Sequence, residues 1–362
     1  MQVVIRADSS YAIGSGHVIR CLSLADELIK YGYNVLFICR ELPGHQIELI
    51  RQRGFTVYSL PFVKISKYEA KKEYSDWLGA TWQEDYKETK DIIKINYTKI
   101  SWLIVDHYTL DYEWESAFRK ITNRILVIDD LANRKHDCDL LLDQNLYPDA
   151  ENRYTKLLGK NYLSLLGPKY ALLRPEFFEM RNQNKISKNN LFRILIFFGG
   201  SDATNETTKA LAAIESLNDL SMYIDVVVGV AHAHKEEIKK ICAKMNNVSY
   251  HSPAKNMAEL MLLADLAISG GGSTTWERCC LGLPSLTINV VEHQMAITAG
   301  VENIGAAINL GLANDVSVQL LCSSIRKVMS DTQALENMRL SGMQLVDGLG
   351  VSRVVEAMNK LN

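Results

Sequence analysis

The stretch AIGSGHVIRC, Ala12–Cys21, joins a strand to a helix through a pair of glycines. The apolar run VVIRA (Val3–Ala7) stands in front of it, and a helical pattern continues behind it through Leu22, Leu24, Ala25 and Leu28. Glycines let a backbone approach a ligand closely, and the unpaired amides at a helix start favour negative charge. The spacing is not that of a dinucleotide fingerprint, because Ile19 stands three places after Gly16 and no third glycine follows. No Lys-Ser/Thr pair follows either, so it is not a P-loop. The unusual residue is His17. At a helix N-terminus the dipole disfavours the imidazolium form and leaves a ring suited to act as a general base. The plainer reading is a histidine that only hydrogen-bonds the turn.

Outward from this turn, short apolar runs alternate with helical patterns: NVLFIC, FTVYSL, WLIVD, ILVIDD and DLLLDQN, then FRILIFFGG, YIDVVVG, NVSYHS, LAISGGG and PSLTIN. Runs of this length between amphipathic segments predict parallel sheets in an α/β fold. The polar stretch RNQNKISKNN (Arg181–Asn190) precedes a fresh strand ending at Gly199-Gly200, so the second half begins as the first does. This sets expected domains of residues 1–182 and 191–346, with a final helix over 347–362. Residues Lys67–Tyr97, charged and helical in pattern, are expected to form a solvated helical excursion, with a lid or interface as the other reading.

Composition narrows the function. The chain has 362 residues, 47% hydrophobic and 23% charged, with a formal net charge of -2. That near-balance provides no general field for nucleic acid or an anionic membrane, so an anion must be held locally. No apolar run reaches the roughly 18 residues of a membrane span, and MQVVIRADSS lacks a signal-peptide layout; a cytoplasmic protein is expected. The seven cysteines form no C-x-x-C pair and read as core residues in a reducing compartment.

A second constellation is ISGGGSTTWERCCLGLP, Ile268–Pro284. The amides of Gly271 to Thr275 and the hydroxyls of Ser273 and Thr274 form a cradle for a diphosphate that needs neither lysine nor metal. Glu277, one turn into the helix, is placed to accept the hydroxyls of a ribose; a tight turn with no ligand is the alternative. The glycine turn of FFGGSD (Phe197–Asp202) is expected to line the same cleft, with Asp202 as a ligand contact or a helix cap. Asp8, Asp106 and Asp129-Asp130 stand at strand ends, with Tyr108 in the same turn as Asp106. His107 reads as structural, and His232, His234 and His251 lack the spacing of a metal cluster. The D-C-D of Asp137–Asp139 reads as a turn rather than a metal site. NVVEHQ (Asn289–Gln294) brings His293 and Gln294 near the glycine turn in the chain.

Together IGSGHVIRCLSLA, VDHYTLD, VIDDLANRKHDCDLLLDQN, LLGPKYALLRPEF, FFGGSDATN and GGGSTTWERCCLGLPSL resemble the UDP-sugar hydrolases of pseudaminic acid biosynthesis, in order from Val3 to about Gln294. Those enzymes act on UDP-2,4-diacetamido-2,4,6-trideoxy-β-L-altropyranose. A more distant likeness is to the N-acetylglucosaminyltransferase that makes lipid II, and the spore-coat polysaccharide proteins share the histidine turn. The resemblance implies a GT-B architecture of two Rossmann-like domains facing across a cleft, with the last helix crossing back to the first domain. It implies His17 as general base, with Gly14 and Gly16 at the sugar nucleotide. UDP and sugar contacts would come from Tyr108, Gly271, Gly272, Ser273, Thr274, Glu277, His293 and Gln294. No cofactor, no metal, a small-molecule UDP-sugar partner and a monomer are expected. A transferase using the same base on an acceptor hydroxyl, and a non-catalytic sugar-nucleotide sensor, are the competing readings.

Overall fold

The computed structural model describes residues 1–62, 74, 77–183, 191–200, 202–229, 232–254, 256–292 and 294–362. The chain divides into two compact units. The first comprises Met1–Asn145, Asp149–Leu172 and Gly350–Asn362; the second comprises Leu146–Pro148 and Leu173–Leu349.

In the first unit, strands β1 (Gln2–Ala7), β2 (Asn34–Arg40), β3 (Thr56–Leu60), β4 (Ile100–Asp106), β5 (Thr122–Ile128), β6 (Leu140–Asp143) and β7 (Leu163–Leu166) form one parallel sheet in the order β3-β2-β1-β4-β5-β6-β7. Along β1, Val3, Ile5 and Ala7 pack into one hydrophobic cluster and Val4 into another. Both faces of the sheet are covered, which is why these strands read as continuous apolar runs rather than alternating ones. The second unit repeats the plan. Strands β8 (Phe192–Phe197), β9 (Met222–Val227), β10 (Val248–His251), β11 (Leu266–Gly270), β12 (Ser285–Asn289) and β13 (Ile308–Leu312) are parallel in the order β10-β9-β8-β11-β12-β13.

Each sheet reverses its order once beside its first strand. In the first unit the reversal lies between β1 and β4, where Ala7 pairs with Asp106; in the second it lies between β8 and β11, where Phe197 pairs with Ser269. Parallel sheets bind ligands outside the carboxyl ends of their strands at such a switch point. The turns there contain His17 in one unit and Gly199-Gly200 and Gly271–Ser273 in the other.

Three expectations need correction. The division between the units falls at Leu172/Leu173, ahead of the polar stretch expected to mark it, whose residues 184–190 lie outside the described residues. Helix Pro175–Arg181 belongs to the second unit because Phe177 is fully buried and Arg181 donates to the carbonyls of Cys280, Met343 and Val346. A guanidinium on the last carbonyls of two helices is favoured by their dipoles and outweighs the change in composition. The final segment also divides: 347–349 stays with the second unit, while helix Gly350–Leu361 packs on the first through Val354, Val355 and Met358. Nearby, Trp102 Nε1 donates to Asn362. Lastly, the Lys67–Tyr97 segment is not wholly solvated. Residues 67–73, 75 and 76 are outside the described residues, but helix Trp82–Asn96 buries Asp85, Thr89 and Ile93, which share one face. Among the described residues no helix is long and apolar enough to cross a membrane.

Candidate functional site

The first unit builds its turn around His17. Gly14 has φ +78°, the left-handed region that favours glycine, and its amide donates to Ser10 O at 2.8 Å. That amide therefore closes the turn rather than offering itself to a ligand, a narrower part than the one expected of Gly14. Gly16 begins the helix Gly16–Lys30, which carries His17 in its first turn, 7% exposed.

Asp106, fully buried at the end of β4, holds the imidazole: His17 Nδ1 lies 2.5 Å from Asp106 Oδ1. A carboxylate only accepts, so Nδ1 carries a proton, and in the neutral ring the lone pair then lies on Nε2. Arg20, three residues on and on the same helix face, donates from Nε to Asp106 Oδ2 at 2.7 Å and from Nη2 to Oδ1 at 2.6 Å. Arg20 Nη2 also lies 3.4 Å from His17 Nδ1, but its short bond goes to the carboxylate. Arg20 Nη1 continues to Asp130 Oδ1 at 3.0 Å, and Asp130 accepts from Tyr108 OH at 2.8 Å and Asn145 Nδ2 at 2.7 Å. The Tyr108 ring meets the His17 ring edge-on at 4.7 Å. Burial would raise the Asp106 pKa, but the Arg20 guanidinium and then His17 hold it well below the ordinary carboxylate range. Burial and the charge of Asp130 keep the Tyr108 hydroxyl protonated well above its usual value.

The other strand-end carboxylates have structural partners. Asp8 is bound by Arg6, by the amide of Arg40 and by His107 at 3.3 Å. Asp129 is held by Arg134, Tyr154 and the amide of Ala132. Asp137 and Asp139 face Arg119, and Asp139 also faces Arg124, so cationic side chains fill the D-C-D turn. Among the described residues no group of three His, Cys, Asp or Glu side chains gathers as a metal ion would require.

In the second unit, Gly271 follows β11 where a Cβ would stand 2.5 Å from Asn289 Oδ1 and from Thr298 Cγ2. No larger residue fits, whereas at Gly272 the nearest atom to a Cβ is Gln294 Nε2 at 3.7 Å. Ser273 is exposed and its side chain caps nothing at the start of helix Thr274–Leu281. The amides of Gly272, Ser273 and Thr274 have no backbone acceptor among the described residues, whereas that of Thr275 donates to Gly272 O at 3.0 Å. The expected cradle thus loses the amide of Thr275. Gln294 Oε1 accepts from the amide of Val290 at 3.1 Å, which pins this side chain beside Gly272. His293 lies outside the described residues.

Glu277 is buried, and burial raises its pKa against the opposing charge of Arg174, whose Nη2 lies 3.3 Å from Glu277 Oε1. Asp202 behaves as a helix cap, accepting from the amides of Glu206 and Thr207 at 2.9 Å each, with His232 Nε2 3.1 Å from it.

The structure thus brings His17 and Tyr108 together in the first unit and Gln294 to the glycine turn in the second, while the Glu277 carboxylate turns to Arg174. Sequence reasoning did not single out Arg20, Asn145, Arg174 or Arg278. For Arg20 a signal existed: it stands at i+3 from His17, one helical turn on, in a chain where the strand-end Asp106 needed a cation.

Residues 194–347 match the family model described as glycosyltransferase family 28 C-terminal domain. The chain is 27% identical to the spore coat polysaccharide biosynthesis protein SpsG of Bacillus subtilis, over all of this chain and 98% of that protein. It is 28% identical to the UDP-2,4-diacetamido-2,4,6-trideoxy-β-L-altropyranose hydrolase of Campylobacter jejuni, over 81% of this chain and 93% of that one. It is also 29% identical to an uncharacterized protein of Methanocaldococcus jannaschii over 81% of this chain, and spans only 57% of that longer protein. The fold matches MurG of Acinetobacter baumannii (TM-score 0.65, 16% identity, 99% of each chain). It also matches the UDP-GlcNAc 2-epimerase of Neisseria meningitidis (TM-score 0.66, 13% identity, 99% of this chain and all of that one). The fold is GT-B. Because a MurG and an epimerase share it, the reaction has to be argued from the site.

Proposed function

We infer that this chain is a UDP-sugar hydrolase, releasing UDP and 2,4-diacetamido-2,4,6-trideoxy-L-altrose by inverting attack of water at the anomeric carbon. The observation that carries this reading is the buried Asp106 on Nδ1 of His17, 2.5 Å away, at the switch point of the first sheet. It leaves Nε2 as a lone pair able to take a proton from water, and it stabilises the imidazolium that results. The similarity to the Campylobacter hydrolase, over most of both chains, supplies the substrate class.

In this reading the amides of Gly272, Ser273 and Thr274 and the hydroxyls of Ser273 and Thr274 take the diphosphate oxygens, where charge develops as the anomeric C–O bond breaks. Glu277 accepts the ribose hydroxyls. UDP is a good leaving group, so the proton inventory closes with His17 alone: water loses a proton to Nε2, its oxygen bonds to the anomeric carbon, and the bond electrons leave with UDP. Tyr108, fixed by Asp130 and set edge-on to His17, bounds the space in which the water is held.

The family 28 match over residues 194–347 favours a second reading, a glycosyltransferase in which the same base acts on an acceptor hydroxyl. Water and an alcohol need the same base, so the acceptor decides between them. The test is an NMR time course on the UDP-diacetamido-trideoxy-altrose in ¹⁸O-water, with EDTA and no acceptor. Release of UDP with label on the sugar supports the hydrolase. Label on phosphate moves the attack to phosphorus and overturns the role of His17. No release without an acceptor favours the transferase, and binding without turnover in any mixture favours a sensor.

A further inference from the structure

Beneath the second glycine turn lies a buried charge. Arg278, 1% exposed, donates from Nη1 to Ser269 Oγ at 2.7 Å and to Thr274 Oγ1 at 3.2 Å. From Nη2 it donates to Gly270 O at 3.3 Å and to Thr275 Oγ1 at 3.1 Å. All four acceptors are neutral. Among the described residues no carboxylate lies within bonding distance of Arg278, because its neighbour Glu277 turns to Arg174. The Nε–H is buried and has no partner among the described residues. Burial pushes the Arg278 pKa down to about 10, partly countered by neighbouring Cys279 and Glu277, so the group is charged at neutral pH.

A buried cation without an anion costs stability unless something repays the lost hydration. The guanidiniums beside the two candidate sites are paired differently: Arg20 has Asp106 and Asp130, and Arg174 has Glu176 and Glu277. Two of the acceptors of Arg278 are hydroxyls of the turn's own helix. A hydroxyl that accepts from a guanidinium keeps its own proton to donate, and donates it more strongly. Thr274 is thereby prepared to give its O–H to an anionic oxygen beside the unpaired amides of Gly272 and Ser273.

We propose that Arg278 is the built-in counter-charge of this turn, a positioning residue that makes it selective for a ligand carrying a diphosphate and acts through Thr274 and the turn backbone without touching the ligand. The proposal rests on the reading of the turn as the UDP site. It predicts that Arg278 contributes to affinity for the phosphates and nothing to affinity for the nucleoside.

The test is titration calorimetry of UDP, with ligand-observed NMR for uridine, on the wild-type chain and on the Arg278→Met and Arg278→Lys variants, each with a melting curve. Arg278→Met should weaken UDP by about 10- to 100-fold, a charge acting through one intervening group, while uridine affinity stays within twofold. Arg278→Lys should recover most of the loss. The UDP-induced rise in melting temperature should shrink in Arg278→Met, and its ligand-free melting point should hold or rise. If Arg278→Met lowers UDP and uridine affinity equally, Arg278 is only a brace and the proposal fails; unchanged UDP affinity overturns it too. Should Arg278→Met not fold, Arg278→Lys carries the same comparison, because a folded lysine variant that loses uridine as much as UDP refutes it. If wild-type protein binds neither ligand, the turn is not a UDP site, and that failure is distinct because it precedes any substitution.

Discussion

Replacing Asp106 by Asn removes one charge and leaves the shape, and the hydrogen bonds around it set the consequence. Oδ1 accepts from His17 Nδ1 and Arg20 Nη2, and Oδ2 accepts from Arg20 Nε and Cys21 Sγ, so every neighbour is a donor. An amide offers one oxygen and one NH₂. With the oxygen on the His17 side, the NH₂ opposes Arg20 Nε; with the oxygen on the other side, the NH₂ donates to Nδ1 and forces the proton onto Nε2, which abolishes the base. Either orientation also removes the anion that stabilises the imidazolium. We expect kcat for UDP release to fall by about 10²- to 10⁴-fold, or roughly 3–5 kcal/mol in the barrier, with KM within about threefold. Folding stability should fall by only about 1–3 kcal/mol, because Arg20 keeps Asp130 at 2.9 Å. Steady-state UDP release and thermal melts measure both. The His17→Phe variant should lose as much, and the double variant should lose no more than the worse single, since the two residues act as one unit. Retention of more than a third of kcat by Asp106→Asn, or a double variant that multiplies the single losses, would refute the reasoning.

Three further outcomes follow from the same geometry. Gly271→Ala, whose Cβ would stand 2.5 Å from Asn289 Oδ1, should destabilise by about 1–3 kcal/mol; Gly272→Ala should melt like the wild type yet bind UDP at least 10-fold more weakly, and equal melting of the two would contradict the steric argument. Glu277→Gln should weaken UDP by about 10-fold, the cost of one charged hydrogen-bond acceptor, and leave 2′-deoxy-UDP little changed; equal losses for both ligands would deny it the ribose. For His136, burial opposes the charged ring, but Glu115 at 2.7 Å and Asp129 outweigh it and raise the pKa to about 9. A raised histidine pKa stabilises fully below its unfolded value near 6.5 and ceases to do so as pH passes about 9. Urea melts should therefore show wild type losing up to about 3 kcal/mol relative to His136→Gln between those pH values, and parallel curves would refute this.

How far the sequence discloses the molecule depends on what each signal rests on. The central strands are legible because a sheet covered on both faces needs unbroken apolar runs, as in VVIRA and WLIVD. Strand β7, LSLL at the sheet edge with only Leu165 buried, and β13, INLGL broken by Gly311 at φ +104°, carry no such run and are not legible in the sequence. The polar stretch after Arg181 misled because composition does not report that Arg181 binds carbonyls of the second unit. At the site, His17 was legible from its turn, but its partner was not: Asp8, Asp106 and Asp129 all end strands. Only the sheet order, with β4 beside β1 and the pairing of Ala7 with Asp106, distinguishes the carboxylate that faces the imidazole from those held by Arg6 and Arg134.

The two units share a strand order and place a glycine turn at the same point, yet their charges differ in a way that divides the chemistry. Around His17 the Arg20 guanidinium lies between two carboxylates, Asp106 and Asp130, and the first of these sits on the imidazole itself. Each further negative charge brought to about 6 Å of that cluster would cost on the order of 3 kcal/mol at an effective dielectric near 20. A diphosphate is therefore disfavoured there. Beneath the second turn the balance is opposite, since Arg278 is a cation with neutral partners and the amides above it point the same way electrically. The fold provides two equivalent ledges, and in the proposed reading the buried side chains under each suit one to an anion and the other to the base.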